Sequence, residues 1–237
     1  MISIIIPTLN EEKYIGKLLI SLAKQDYLNF EVIIADASSE DMTKDVAEIY
    51  AQHLNINMRF IPVKIRNASM QRNIGARAAF GEKLVFIDAD IIIPNRYFLK
   101  KINNILKRNS CAAVPVWINP SEARFRDKIF SHFLNGFMMI LNSIGVHNGR
   151  GAVIGVKAAE FWQTGGFDEQ LAVAEDVDLF RKIGKLGNVG IMNNVVYESS
   201  RRYRELGYIR LLGLWVINGI WAFLFRKSYN TQWDAVR

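Results

Sequence analysis

Cysteine is nearly absent. Cys111 is the single one in 237 residues, so no intramolecular disulfide can brace the fold. Histidine is scarce too: His53, His132 and His147 show no metal-ligand spacing such as H-E-x-x-H and read as structural residues. There is no G-x-x-x-x-G-K-[ST] phosphate loop, no G-x-G-x-x-G turn and no arguable Ser-His-Asp arrangement, which removes the simplest routes to a P-loop enzyme, a dinucleotide binder or a serine hydrolase. The apolar run Met1 to Pro7 lacks a basic flank and meets acids at once, unlike a secretory leader. No internal repeat, low-complexity tract or linker interrupts the chain, and one domain is expected at this length.

What is present is a globular balance, 50% hydrophobic and 22% charged. The formal net charge of +7 is concentrated late: from Ser200 onward stand seven basic residues (Arg201, Arg202, Arg204, Arg210, Arg226, Lys227, Arg237) and only two acids (Glu205, Asp234). Such a tail matches phosphate, an anionic membrane or nucleic acid, or forms a solvated basic face.

Hydrophobic patterning sets out alternating elements. Ile2 to Ile6 is a β-branched run, a buried strand ended by Pro7. Thr8-Leu9-Asn10-Glu11 has capping-box spacing and predicts a helix from Glu11 to Lys24. Glu31 to Ala35 predicts a strand, followed by a polar loop from Asp36 to Asp41 and a helix to His53. Met58 to Val63, Ala68 to Phe80 and Leu84 to Ile87 continue as strand, helix and strand. Beyond them Ala112 to Trp117, Ala152 to Val156 and Val189 to Val196 read as strands. Phe125 to Ile144, Ala158 to Thr164 and Glu175 to Leu186 read as helices. The alternation predicts an α/β fold with a mostly parallel sheet and helices on both faces. Ligands bind beyond the carboxyl ends of such strands, where Thr8, Asp36 and Asp88 all lie.

Asp88-Ala89-Asp90 follows the apolar strand Leu84-Val85-Phe86-Ile87. Two carboxylates so close are unfavourable without a cation, and a hard divalent ion sharing phosphate oxygens fits them; turn and cap aspartates are the alternative. Asp36 either accepts from a nucleobase N–H or caps the next helix. Arg72 either offsets a diphosphate or lies on the surface. Glu175 and Asp176 begin a helix, where acids suit the dipole, or one of them takes the proton of an attacking hydroxyl.

Six motifs occur in order: Ile4-Ile5-Ile6-Pro7-Thr8-Leu9-Asn10-Glu11-Glu12, Glu31-Val32-Ile33-Ile34-Ala35-Asp36-Ala37-Ser38-Ser39, Gln71-Arg72-Asn73-Ile74-Gly75-Ala76, Phe86-Ile87-Asp88-Ala89-Asp90, Gly165-Gly166-Phe167-Asp168-Glu169 and Glu175-Asp176-Val177-Asp178-Leu179. Together they resemble the family 2 glycosyltransferases from Met1 to about Ser200. The resemblance implies a GT-A, Rossmann-like fold and an inverting transfer from a nucleoside diphosphate sugar, UDP- or GDP-linked. Pro7, Thr8, Asn10 and Glu11 would line the donor's nucleoside pocket, Asp36 would meet the base and Arg72 would lie near the diphosphate. Asp88 would approach the ribose or the metal, and Asp90 would ligate Mg2+ or Mn2+. Asp176 would be the base, with Glu175 beside it touching acceptor or sugar. The processive members' Q-x-x-R-W motif is missing, which implies a single transfer. In its place stand Arg201 and Arg202, which would clamp the diphosphate, hold an anionic acceptor or begin a solvated helix. Ile92 replaces the polar residue usual in relatives that use polyprenyl phosphates. Two other readings share these features: a nucleotide-sugar binder without turnover, and a dehalogenase-like phosphatase, whose D-x-D would lie in the first strand instead.

Leu211 to Phe225 is an apolar run with Trp215 and Trp221, flanked by Arg210 and by Arg226-Lys227. As a helix it would reach about 22 Å, short of the roughly 30 Å bilayer core, but tryptophans and flanking cations suit an interface. The Phe125–Ile144 helix has an apolar stripe of Phe130, Phe133, Phe137, Ile140 and Leu141, with Met138 and Met139 beside it. The expected organisation is therefore a transferase domain over 1–200, with a nucleotide-binding half 1–90 and an acceptor half 91–200. A basic, apolar tail over 201–237 would follow, attaching peripherally to the cytoplasmic face of a membrane. A lipid-linked or small acceptor and no nucleic acid are expected; a core or homodimer interface is the alternative use of the apolar segments.

Overall fold

The computed structural model describes residues 1–225; Arg226, Lys227 and Arg237 of the expected tail lie outside the described residues. The first half comprises β1 (Ile2–Thr8), α1 (Ile15–Ala23), β2 (Phe30–Asp36), α2 (Thr43–His53), β3 (Met58–Pro62), α3 (Ala68–Arg77), β4 (Lys83–Ile87) and α4 (Phe98–Arg108). The second comprises β5 (Cys111–Ala113), β6 (Val116–Ile118), α5 (Phe125–Ser143), β7 (Val153–Lys157), α6 (Ala158–Gln163), α7 (Glu175–Ile183), β8 (Val189–Ile191), β9 (Val196–Glu198), α8 (Arg201–Leu206) and α9 (Tyr208–Phe225).

The main sheet has the order β3-β2-β1-β4-β7-β5-β8, and β6 pairs with β9 in a small second sheet. β3, β2, β1 and β4 run parallel. β7 is antiparallel to both β4 and β5, and β8 is parallel to β5. Side chains alternate across the strands, so each face acquires its own core. Ile4, Ile6, Val32, Ile34 and Val85 pack with Leu18, Leu22, Leu99 and Ile102 of α1 and α4. Ile5, Leu84 and Phe86 pack with Ala76, Phe161 and Phe180 of α3, α6 and α7. Helices therefore cover both faces. The strand order reverses around β1, whose partners are β2 and β4, and ligands of such sheets bind beyond the carboxyl ends at that reversal.

Several expected boundaries move. β1 continues through Pro7 to Thr8; its ladder to β4 ends at Ile5–Phe86, so Pro7, with no N–H to give, lies past that ladder. The capping box does not form. Thr8 Oγ1 donates to Asp36 Oδ1 (2.7 Å) and Thr43 Oγ1 accepts from Glu11 N (2.7 Å), so α1 begins only at Ile15. The strand expected at Ala112–Trp117 breaks at Pro115, sending β5 and β6 to different sheets, and Val189–Val196 divides likewise into β8 and β9. α4 was not anticipated, although Phe98, Leu99, Ile102 and Leu106 face the core at helical spacing.

α5 is inverted. Asp127, Ser131, Asn135 and Met138 face inward, while Phe125, Ile129, Phe133, Phe137, Met139 and Ile140 are exposed. Asn135 satisfies both backbone groups of Val116, accepting from its N–H and donating to its carbonyl. The expected stripe thus divides: Phe130 packs against Tyr203, Tyr208 and Trp215, whereas Phe133 and Phe137 stack on the outer face at 6.4 Å. Ile209, Val216, Ile217 and Trp221 of α9 are exposed as well. No helix among the described residues is long and apolar enough to cross a membrane.

Candidate functional site

The loops after β1 and β2 are zipped together by side chains that meet backbone N–H groups. Asp36 accepts from Thr8 Oγ1 (2.7 Å), Ser39 Oγ (2.5 Å) and Ser39 N (2.8 Å). Asn10, at φ +57°, accepts from Glu40 N and donates its own N–H to Ser39 Oγ, both at 2.8 Å. Asp36 is thus an organiser of its loop, and its two oxygens are already engaged. Gln71 on α3 donates to the carbonyls of Thr8 (2.8 Å) and Ala35 (2.7 Å), locking the two strand ends together. These contacts hold Glu11 over the end of β4.

Past β4, the backbone turns at Asp88 and is clamped again at Ile92, which exchanges two hydrogen bonds with Tyr197 (2.8 and 2.9 Å). Ile92 serves here through its backbone, so a polar side chain is not needed to shape the turn. Asp88, Asp90 and Glu11 share this corner with Arg201 of α8. Arg201 Nη2 lies 2.6 Å from Glu11 Oε1 and 3.4 Å from Asp90 Oδ2, over the Tyr14 ring at 4.6 Å. Burial, helped by Glu11, Asp88 and Glu198, raises the Asp90 carboxyl to about 7 against the pull of Arg201. Burial raises Glu11 as well, Arg201 again opposing, and Arg202 lies near enough to Glu11 to pull the same way.

Arg72 carries the site across to α7. It is buried, and it donates from Nη2 to Asp88 Oδ1 and from Nη1 to Glu175 Oε1, each at 2.8 Å. Burial disfavours its charge, but Asp88 and Glu175 outweigh that and raise its pKa. The loop before α7 is stitched to α3. Asn73 donates to Phe167 O (2.8 Å) and Glu169 Oε1 (2.9 Å) and accepts from Phe167 N (3.0 Å), and Asn67 donates to Glu169 O (2.9 Å). Ala174, left-handed at φ +67°, then turns the chain into Glu175 and Asp176. Burial first, and Glu175 second, raise the Asp176 carboxyl to about 7. Its oxygens accept from the Val177 N–H (2.8 Å) and the Gly151 N–H.

The structure thus gathers Thr8, Asn10, Glu11, Asp36, Arg72, Asp88, Asp90, Glu175, Asp176 and Arg201 into one region beyond the carboxyl ends of β1, β2 and β4, linked by the contacts above. Pro7 lies in β1 just below it. Arg72 points to two carboxylates rather than to open space. Sequence reasoning missed Gln71, Asn73, Tyr14 and the buried set Arg150, Glu198 and Tyr203. Arg150 Nη2 donates to Glu198 Oε1 (2.6 Å) and to Tyr203 Oη (2.7 Å), and Tyr203 also bonds Glu198, which seats α8. Amides in the Gln71–Asn73 motif were a visible signal; a lone Arg or Tyr was not.

The donors fit a hard divalent ion. Asp88 and Asp90 present carboxylate oxygens, and Glu11 Oε2 is buried beside them with no partner. No three His, Cys, Asp or Glu side chains converge on a metal geometry among the described residues, so diphosphate oxygens and water would complete the shell.

The sequence profile of Glycosyl transferase family 2 matches residues 3–161. Over 100 residues the chain is 40% identical to the poly(ribitol-phosphate) beta-N-acetylglucosaminyltransferase TarS of Staphylococcus aureus (strain Mu50), covering 41% of this chain and 17% of that protein. The crystal structure of S. aureus TarS 1–349 in complex with UDP-GlcNAc superposes with a TM-score of 0.65 at 25% identity, over 84% of this chain and 58% of that one. The mannosyltransferase PcManGT from Pyrobaculum calidifontis, in complex with GDP-Man and Mn2+, gives 0.74 at 22% identity, over 96% and 64% of the two chains. That second likeness is one of fold. The chain spans less than two thirds of the length of each of these relatives.

Proposed function

The chain belongs to glycosyltransferase family 2, with a GT-A-like fold, and on that premise we propose that it transfers a sugar with inversion from a UDP- or GDP-sugar to a hydroxyl or phosphate acceptor. One observation carries this reading: a single buried guanidinium, Arg72, holds Asp88 on one side and Glu175 on the other, each at 2.8 Å. The carboxylates of the metal edge and those of the base edge are therefore kept one side chain apart. In the transfer, Asp176 takes the proton of the attacking acceptor oxygen. That oxygen bonds to the anomeric carbon as the bond to the diphosphate breaks, and the nucleoside diphosphate leaves. Glu175 is fixed beside it, facing acceptor or sugar. Asp90 and Asp88 would hold Mg2+ or Mn2+, which supplies charge neutralisation for the departing diphosphate. Thr8, Asn10, Glu11 and Asp36 border the nucleoside, and Arg201 and Arg202 face the diphosphate or an anionic acceptor.

The division into a donor half 1–90 and an acceptor half 91–200 is supported by Asp36, Asp88 and Asp90 coming from the first and Asp176 from the second. The tail contributes Arg201 to the site. A lipid-linked acceptor at a membrane surface is supported by the inverted α5. Its only acid, Asp127, is buried, while Arg124, Arg126 and Lys128 are exposed next to Phe125, Ile129 and Phe133. An apolar, cationic face matches an anionic lipid surface, whereas a second copy would set like charges against each other.

Asp176→Asn tests the assignment. Turnover is expected to fall by roughly 10²–10⁴ with donor affinity retained, measured by product formation and by nucleotide-sugar titration. An unchanged rate would remove Asp176 as the base.

A further inference from the structure

Arg201 stands where the cation of this corner belongs. It bridges Glu11 (2.6 Å) and Asp90 (3.4 Å) and rests on Tyr14, and the second oxygen of Glu11 is buried without a partner. The backbone that carries Arg201 is fastened independently of that contact. Ser200 donates its N–H and its hydroxyl to Glu122 Oε2, both at 3.0 Å, and Tyr203 is tied to Arg150 and Glu198. Turning the guanidinium about its own side-chain torsions would therefore leave these anchors of α8 intact.

We propose that Arg201 is a resident counter-cation, which neutralises Glu11 and Asp90 until a metal–nucleotide arrives and then turns onto the diphosphate. This deepens the donor-site reading above and rests on it. A divalent ion on Asp90 and a guanidinium in the same partly buried corner repel strongly, so one must leave as the other enters. The displaced guanidinium needs an anion that it can meet with several N–H groups, and a diphosphate is that partner. Metal and nucleotide binding become coupled through one side chain: metal alone must evict Arg201 with nothing to receive it, whereas metal with diphosphate supplies the receiver. Arg201 is a positioning residue for the cation site before it is a ligand for the donor.

The test reads metal uptake, not turnover. Free aquated Mn2+ is followed by its EPR signal on the intact chain, with Mn2+ alone and with Mn2+ plus UDP, GDP being run in parallel. In Arg201→Ala and Arg201→Gln, affinity for Mn2+ alone is expected to rise on the order of tenfold, and the further gain on adding nucleotide to shrink. Arg201→Lys keeps the charge and should stay near wild type. Adding Asp90→Ala to Arg201→Ala should abolish the gain; a gain that survives puts the ion elsewhere and overturns the proposal. Unchanged or weaker uptake of Mn2+ alone in both neutral variants also overturns it, and wild-type uptake of Mn2+ with nucleotide would then leave the donor site standing. No uptake by wild type under any condition overturns both. If neither neutral variant melts cooperatively, Arg201 is a structural brace and the proposal fails.

Discussion

Asp176 sits between two demands. The base role proposed for it requires the ionised form, and burial with Glu175 beside it raises its carboxyl to about 7. Under that proposal turnover should climb as pH rises through about 7 and level off above; Asp90, raised to about 7 as well, adds to the same rise, so the residual activity of Asp176→Asn should show a shallower inflection. The stability effect has the opposite sign. The folded pKa lies above the unfolded value of roughly 4, so the folded state holds a proton that the unfolded chain releases. The contribution is full below about 4 and is lost as pH rises toward 7. Asp176→Asn should accordingly melt no lower than wild type at pH 8 while being nearly inactive. Gly151 tests the same carboxylate from the other side. A Cβ there would lie 2.8 Å from Asp176 Oδ2 and 3.2 Å from its Cβ. Gly151→Ala is expected to lower kcat about tenfold or more by displacing the base, with donor affinity little changed. The acids of this site were legible as residues, because carboxylates at the ends of apolar runs stand out. Gly151 was not, since its meaning is the space that its missing Cβ leaves to a residue on another element.

At the scale of elements, α7, which carries the proposed base, depends on α3. Asn73 holds the loop before α7 through three hydrogen bonds to Phe167 and Glu169. Asn73→Ala should cost about 2–3 kcal/mol and lower the melting temperature by roughly 5–10 °C, with a loss of turnover as α7 loosens. Circular-dichroism melting beside the kinetics checks both. Local pattern foresaw β1, β2, β3, β4 and α3 closely, since each is an apolar run or a capped segment read from its own residues. The helix expected from Glu11 forms but starts at Ile15, because Thr8 and Glu11, a sound capping pair in isolation, find better partners in Asp36, Thr43 and Arg201. α5 kept its length, but its faces could not be assigned: Asn135 and Asp127 turn inward because Val116 and the helix start need their polar atoms.

For the whole molecule, the lipid surface proposed above would meet the outer face of α5 and the exposed side of α9, whose apolar side chains are open to solvent. Paired Phe133→Glu and Phe137→Glu changes alter side chains about half exposed on that face, so folding should survive. Flotation with vesicles rich in anionic lipid should lose the variant and retain the wild type, and retention should weaken with salt. Removing residues 205–237 should act in the same direction. Partitioning unaffected by either change would assign this face to something other than lipid. The central strands, and the carboxylates that follow their carboxyl ends, are legible from the order of residues alone. Apolar runs, turn residues and terminal carboxylates are local properties, readable one segment at a time. It takes the folded chain to show that Arg72 joins Asp88 to Glu175 and that Arg201 lies against Asp90. The tertiary structure also decided that β7 runs against its neighbours and that α5 presents its aromatics outward. Those outcomes depend on which distant groups compete for the same buried charge or hydrogen bond, and that competition exists only once the chain has closed on itself.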